Sequence, residues 1–174
     1  MKKLVLGITV LLLMIALAIG IGAFKVGLVP VNADVPPSGL EMRFIPIAVH
    51  ASVAHHAEEQ PNPVDPTDEN LIAGGEVYAE LCARCHGIPG KAPSVLGASF
   101  YPPAPQFTVQ PSTYTEGELF WIVKHGIRNT GMPAWGRLLT DQDIWRTVAV
   151  LRRLNSLPSA VETSLKEGHY EGNQ

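Results

Sequence analysis

The sequence of 174 residues contains only two cysteines and four methionines. Two thiols alone cannot complete the four-ligand shell of a structural zinc site. The formal net charge is only −3, and such a mild balance argues against a nucleic-acid partner and against strong electrostatic steering. No internal repeat and no βαβ pattern is visible, so the sequence indicates one small globular domain with flanking segments.

Both cysteines fall within one motif, Cys82-Ala83-Arg84-Cys85-His86. This spacing is typical of c-type haem attachment, in which two sulfurs bond to the porphyrin vinyl groups and the adjacent imidazole binds the iron. Two alternatives fit less well. A zinc site would need two suitably spaced histidines, and a thioredoxin-like pair would need βαβ surroundings and no histidine. The motif therefore predicts one haem c attached through Cys82 and Cys85, with His86 as an iron ligand.

A second iron ligand is predicted in Gly131-Met132-Pro133. Apart from Met42, Met132 is the only methionine outside the apolar N-terminus. A thioether is a soft ligand that suits the sixth position of a low-spin haem and raises its reduction potential. The flanking glycine and proline indicate a loop that presents the side chain to a site, rather than a core residue on a helix face. His125 is the main rival for this position.

Residues 70–154 resemble a single-haem class I cytochrome c domain, on the strength of the attachment motif, the Gly-Met-Pro segment and the helices around them. The resemblance implies an all-α cytochrome c fold with three main helices and long loops around a covalent haem. In that family the first helix crosses the last through a glycine and an aromatic residue, which correspond here to Gly74 and Tyr78. The aromatic position of the last helix corresponds to Val150, with Trp145 about one turn earlier.

The helices can also be predicted from their patterns. Apolar spacing and end signals predict helices over 69–82, over 119–125 with a capping box at 115–118, and from Thr140 to about Asn155. Gly126 ends the second helix, and a capping box of Thr140 and Asp143 opens the third. Six prolines between residues 87 and 111 predict an extended loop around the haem.

Several polar and aromatic residues are secondary candidates. Tyr101 and Arg128 are possible contacts of the haem propionates, and Trp121 and Trp135 are predicted to pack in the core or against the haem. Three further histidines precede the domain, and we interpret them as part of a solvated linker rather than as metal ligands: His50, His55 and His56.

The N-terminus predicts export. Residues 4–24 form an uncharged run long enough to cross the roughly 30 Å hydrocarbon core of a membrane. Lys2 and Lys3 precede it, and the positive-inside rule then places everything after Lys25 outside the cytoplasm. A cleaved signal peptide with a processing site at Val31-Asn32-Ala33 is the alternative. We expect residues 1–29 to be a retained anchor in the bacterial inner membrane, with the haem domain on the periplasmic side.

The rest of the chain divides by composition. Residues 30–67 contain seven prolines and predict a semi-extended tether. Within this tether, residues 39–57 are more apolar than a free linker. The sequence is compatible with docking of this stretch on the domain, on the membrane or on a partner subunit, and does not choose among them. Residues 68–157 are predicted to form the cytochrome c domain, and residues 158–174 a polar C-terminal tail with a mobile end.

The function predicted from these features is one-electron transfer between a redox protein donor and an acceptor in membrane respiratory complexes. The protein would then be an electron carrier, not an enzyme. One alternative is a haem-relay subunit of a larger respiratory dehydrogenase or oxidase. Another is a haem enzyme or gas sensor with an open sixth position on the iron.

Overall fold

The computed structural model describes residues 2–32 and 34–171, and all regular secondary structure in those ranges is helical. The predicted all-α class is therefore confirmed. The chain divides into two units, residues 1–36 and residues 37–174. Ala33, which ends the predicted processing site, and residues 172–174 of the predicted mobile end lie outside the described residues.

The first unit contains helix α1, Lys2–Lys25. None of its residues is buried within the protein. By length and composition α1 could cross a membrane, because 24 residues at 1.5 Å per residue extend about 36 Å.

The second unit contains all other elements. In chain order they are α2 (Gly39–His56), α3 (Asp68–Val77), a π-helix (Tyr78–Cys82), α4 (Ala83–His86), α5 (Val95–Ala98), α6 (Glu116–His125), a 3-10 helix (Trp135–Arg137), α7 (Asp141–Arg153) and α8 (Ser159–Glu171). The first predicted helix thus continues to His86 and changes from α to π geometry before Cys82. The loop predicted over 87–111 contains one short helix, α5.

The predicted starts of α6 and α7 and the predicted end of α6 are confirmed. The Thr115 side chain accepts a hydrogen bond from the backbone N–H of Glu118, and the Glu118 carboxylate accepts one from the backbone N–H of Thr115. Thr140 and Asp143 make the same reciprocal pair at the start of α7. Gly126 ends α6 with a φ of 67°, a conformation that glycine adopts at low cost. These ends depend only on residues three or four apart, which explains why the sequence predicts them.

Helices α3 and α7 cross at Gly74. A Cβ atom on Gly74 would lie 2.5 Å from the carbonyl carbon of Arg146 and 3.0 Å from the backbone nitrogen of Thr147. The two backbones can therefore approach this closely only because residue 74 has no side chain. The crossing expected from the family resemblance is confirmed at this residue.

Two hydrophobic clusters surround the crossing. The larger contains Tyr78 and Val150 together with residues of α3, α7 and α8, and the smaller contains Leu119, Trp145 and Val148. Trp145 stacks on Phe120 of α6 with ring centroids 4.1 Å apart. The small Val150 side chain therefore packs in the core beside the crossing. Trp145, the aromatic residue of α7, instead packs α7 against α6.

The predicted semi-extended tether is wrong for residues 39–56, which form α2. Ser38 and Glu41 make a capping box at its start, and Pro46 lies inside it. Its second half packs on the domain formed by the later helices, because Val53 is buried, His50 stacks on Tyr114 and His56 stacks on Trp121. Proline content alone does not predict this helix, because the contacts that stabilise it join residues far apart in the sequence.

Residues 57–64, which we call the strap, connect α2 firmly to the domain. Asn62 donates from its backbone to the Glu116 carboxylate (3.0 Å) and from its side chain to the Trp145 carbonyl (2.8 Å). The backbone of Glu58 passes so close to Gly117 that a Cβ there would overlap its carbonyl group. The strap and the second half of α2 are therefore part of the folded domain.

The predicted polar tail is wrong for residues 159–171, which form α8. Val161 and Leu165, four residues apart, are completely buried in the larger hydrophobic cluster. Both lie within 3.9 Å of the position that a Cβ on Gly75 would occupy. The composition of residues 159–171 is mostly polar, so it does not reveal the short apolar face that docks α8 on α3.

Candidate haem site

One cavity of about 410 Å³ in the second unit gathers the predicted site residues. Its size falls within the range typical of cofactor and ligand pockets. Most of its lining is apolar. The residues that line it are Leu81, Cys82, Arg84, Cys85, His86, Leu96, Phe100, Pro102, Pro103, Ala104, Pro105, Ile127, Thr130, Gly131, Met132, Pro133 and Trp135.

The attachment motif is held by the end of the first helical segment. Cys82 closes the π-helix, whereas Cys85 and His86 belong to α4. Gly87 follows with a φ of 76° and turns the chain away. Tyr78 donates from its buried hydroxyl to the Gly87 carbonyl at 2.7 Å, which ties the motif to the core one turn below it.

His86 is oriented by contacts on the far side of the loop. Its Nδ1 donates to the Pro105 carbonyl at 2.8 Å, and its ring stacks on Phe107 with centroids 4.8 Å apart. Burial lowers the pKa of the imidazole, although the Pro105 carbonyl acts in the opposite direction. The ring is therefore neutral near pH 7, with Nδ1 engaged and the Nε2 lone pair available to a metal.

Gln106 is a further structural residue of the site that the sequence did not predict. Its Nε2 donates to the carbonyls of Cys85 (2.8 Å) and Ala104 (3.0 Å), and its Oε1 accepts from the backbone of Ser94 (2.8 Å). The side chain thereby connects the attachment motif to two points within the proline-rich loop. No local pattern marks it, because all of its partners except Ala104 are distant in sequence.

Met132 is presented by a hydrogen-bonded loop. Thr130 donates its hydroxyl hydrogen to the Ile127 carbonyl (2.7 Å) and accepts from the backbone of Met132 (3.1 Å). The Ile127 backbone donates to the Met132 carbonyl at 3.1 Å. Asn129 has a φ of 60° in the turn between them. The methionine side chain is half-buried and lines the same cavity as the two cysteines and His86.

The secondary candidates differ in whether they line the cavity. Trp135 lines the cavity, whereas Trp121 and His125 do not, and their rings lie 5.0 Å apart on α6. Tyr101 and Arg128 are exposed and do not line the cavity either. Within the described residues no group of three or more histidine, cysteine or acidic side chains is arranged to hold a metal ion.

The side chains of this cavity fit a covalently bound haem. Burial raises the pKa of the Cys82 thiol to about 12, with a smaller contribution from Cys85, so this group is a neutral thiol in the free polypeptide. Two thiols, a neutral imidazole and a thioether line one apolar space. This is the set of groups from which a c-type haem site is made.

The fold and this site define a class I c-type cytochrome domain. Residues 69–150 match the family described as Cytochrome C oxidase, cbb3-type, subunit III, which is a family of class I c-type cytochromes. No solved structure matches the chain significantly. The domain thus has covalently bound haem c as its cofactor, and its function is haem-based electron transfer.

Proposed function

We propose that the protein is a membrane-anchored electron carrier whose haem c is attached through Cys82 and Cys85 and ligated by His86 and Met132. The observation that carries the proposal is that all four side chains line one apolar cavity. Haem c supplies a one-electron ferric/ferrous couple when it is bound. The chain supplies the two attachment points, the two ligands and the surrounding apolar surface.

The support for His86 is its hydrogen bond to Pro105. A neutral imidazole that donates from Nδ1 can coordinate a metal only through Nε2. Because the acceptor is a backbone carbonyl held by the proline-rich loop, the ring cannot turn without breaking this bond. His86 is therefore a ligand of fixed orientation and of increased basicity.

The support for Met132 is its position in the cavity and the absence of His125 from the lining. His125 is exposed at the end of α6 and faces Trp121. With imidazole and thioether as the two ligands, the iron has no open position for a substrate. This excludes an enzyme or gas sensor that acts by binding a molecule at the iron, and it favours a raised reduction potential.

The apolar lining and the bracing of the loops support electron transfer further. Phe100, Ile127 and Trp135 give the cavity apolar surface, and a low local dielectric disfavours the extra charge of the oxidised state. Gln106 and Thr130 hold the loops through hydrogen bonds within the protein. A site that does not rearrange when its charge changes by one unit transfers electrons with a small barrier.

Location follows from α1. The helix is long enough to span a bilayer, and Lys2 and Lys3 at its start orient it with the N-terminus in the cytoplasm. We propose that the haem domain is held on the periplasmic side of the bacterial inner membrane by this helix. Its redox partners are then donor and acceptor proteins of the membrane respiratory complexes.

A second candidate function is that of a haem-relay subunit within a respiratory oxidase. The family description, which names a subunit of cytochrome c oxidase, favours it. The chemistry at the haem is identical in the two cases. They differ in whether the protein stays bound to other subunits or exchanges between partners.

The test of ligation is the weak red absorption band that methionine-ligated ferric haem shows. Met132→Ala should abolish this band and allow the reduced form to bind carbon monoxide, because the sixth position becomes open. Met42→Ala is the matched control, because Met42 lies in α2 outside the cavity and its loss should change nothing. A red band that survives in Met132→Ala would overturn the assignment.

The test of attachment, anchoring and partners is purification from native membranes in mild detergent, followed by mass spectrometry. The expected mass is that of the chain with α1 plus one haem, and that haem should be lost in Cys82→Ser with Cys85→Ser. A chain that begins near residue 34 would show that α1 is removed. Stoichiometric oxidase subunits in the purified sample would favour the relay function over the freely exchanging carrier.

A further inference from the structure

The first half of α2 has an unusually apolar surface that the protein leaves uncovered. We refer to residues 39–49 as the exposed half of α2. Five large apolar side chains in it are between 50% and 70% exposed: Leu40, Met42, Phe44, Ile45 and Ile47. Isolated exposed apolar residues are ordinary, but five within eight positions mark a contact surface.

The exposed half of α2 is held in a defined orientation. The second half of the same helix is fixed by buried Val53 and by the rings of His50 and His56, which stack on Tyr114 and Trp121. The strap that follows is bound to the domain by both hydrogen bonds of Asn62. The surface therefore projects from a rigid attachment and is not a loose linker.

Its chemistry excludes a strongly charged partner. Glu41 and Arg43 are the only charged residues between Asp34 and Glu58, and their charges cancel. Successive residues of a helix turn by about 100°, so Leu40 lies on one side of α2, whereas Met42 and Ile45 lie together on the opposite side. A helix that is apolar on two opposite sides fits an apolar surrounding medium better than a flat protein surface.

The position in the chain identifies that medium. Residues 26–38 are the only connection between the membrane-spanning α1 and the start of α2. Thirteen residues of flexible chain span on the order of 20 Å on average, and even fully extended they reach no more than about 45 Å. The exposed half of α2 is thus tethered close to the bilayer that α1 crosses.

We infer that the exposed half of α2 inserts into the headgroup region of the lipid bilayer and fixes the cytochrome domain at the membrane surface. The inference rests on the proposed anchoring by α1. Insertion at the interface, and not a second span, follows from two features. Only residues 39–49 of α2 are free of the domain, and eleven residues are too few to span the bilayer. Pro46 also has no N–H to offer the Met42 carbonyl, which needs water or headgroups nearby.

The experiment is site-specific photocrosslinking of the full-length, haem-loaded protein. A benzophenone amino acid replaces Phe44, and the protein is reconstituted into liposomes of phosphatidylcholine and phosphatidylglycerol. The same probe at Val109, which is 70% exposed in the proline-rich loop, is the matched control. Mass spectrometry identifies the adducts, and the haem spectrum of each variant confirms that it is folded.

The expected result is a lipid adduct at position 44 in at least tenfold excess over position 109. Equal yields at the two positions, no lipid adduct at 44, or a crosslink from 44 to a second copy would overturn the inference. A crosslink in native membranes from 44 to another protein, in place of lipid, would overturn it in favour of a partner subunit.

Extraction with alkaline carbonate separates this inference from the proposed anchor. Protein that resists extraction but gives no lipid adduct at 44 would refute the role of α2 and leave the anchor intact. Protein that is extracted but still gives the adduct before extraction would refute the anchor and support the role of α2. In the double variant Phe44→Glu, Ile47→Glu, α2 should lose its contact with the bilayer. The loss should be seen as faster amide exchange of residues 39–49, and the haem spectrum should not change.

Discussion

Two neighbouring glycines of α3 should respond to the same substitution in opposite directions. Gly74 faces the backbone of α7, where a Cβ would lie 2.5 Å from the Arg146 carbonyl carbon and closer still to its oxygen. Gly75 faces α8, where the nearest atoms, on Val161 and Leu165, would be 3.9 Å from the new Cβ. The first distance is a severe overlap and the second is an ordinary van der Waals contact.

The magnitudes follow from two opposing terms. Replacing glycine by alanine inside a helix stabilises it by about 1 kcal/mol. Overpacking typically costs about 1–3 kcal/mol, and the upper end applies at Gly74 because a backbone, and not a flexible side chain, must move. We therefore expect Gly74→Ala to lower the free energy of unfolding by about 2 kcal/mol net. We expect Gly75→Ala to raise it by up to about 1 kcal/mol.

The assay is thermal unfolding of the haem-loaded protein, followed by circular dichroism. At roughly 4 °C per kcal/mol for a domain of this size, Gly74→Ala should lower Tm by about 8 °C and Gly75→Ala should raise it by up to about 4 °C. The two variants are each other's controls, because they differ by one position in the same helix. A Tm that rises in both, or falls equally in both, would refute the crossing geometry.

Three further predictions concern the hydrogen bonds and close contacts around the site. Tyr78→Phe leaves the buried Gly87 carbonyl without its donor and should cost about 1–3 kcal/mol, measured by urea denaturation; an unchanged midpoint would contradict this. Thr130→Val removes both hydrogen bonds that the Thr130 hydroxyl makes in the loop that presents Met132, so the red band should disappear at a lower temperature than in the unmodified protein. Thr130→Ser should restore the temperature at which the red band disappears to that of the unmodified protein. Equal temperatures for the two variants would argue against the role of the hydroxyl. Gly117→Ala places a methyl group against the strap backbone and should speed amide exchange in the strap by about tenfold, since overpacking costs about 1–3 kcal/mol. An equal increase throughout α7 would show global rather than local destabilisation.

The parts of the fold that the sequence predicts are those that depend on short-range chemistry. The starts of α6 and α7 are each set by a threonine and an acidic residue three positions later, and the end of α6 is set by a glycine. The attachment motif is similarly local, because two thiols and an imidazole within five residues can bind only a few kinds of group. The α3–α7 crossing at Gly74 was expected from family resemblance and not from the pattern itself.

The parts that were missed depend on contacts across the chain. Helix α2 contains a proline and has no clear apolar stripe, and its second half is stabilised by rings from outside it, on Tyr114 and Trp121. Helix α8 is mostly polar, and among its described side chains Val161 and Leu165 are the ones buried in the core. In the candidate site, Gln106 has no neighbouring motif and becomes recognisable only when its partners on both sides of the loop are located.

The attachment segment is braced by three hydrogen bonds from two parts of the chain. Tyr78 of the π-helix donates to the carbonyl of Gly87, and Gln106 of the proline-rich loop donates to the carbonyl of Cys85. Pro105, the loop residue before Gln106, accepts from the ring of His86. None of these three bonds involves the iron, so a change of oxidation state does not remove any of them. Because an electron transfers fastest when the nuclei move least, these bonds support the proposed function by fixing the side of the site that holds His86.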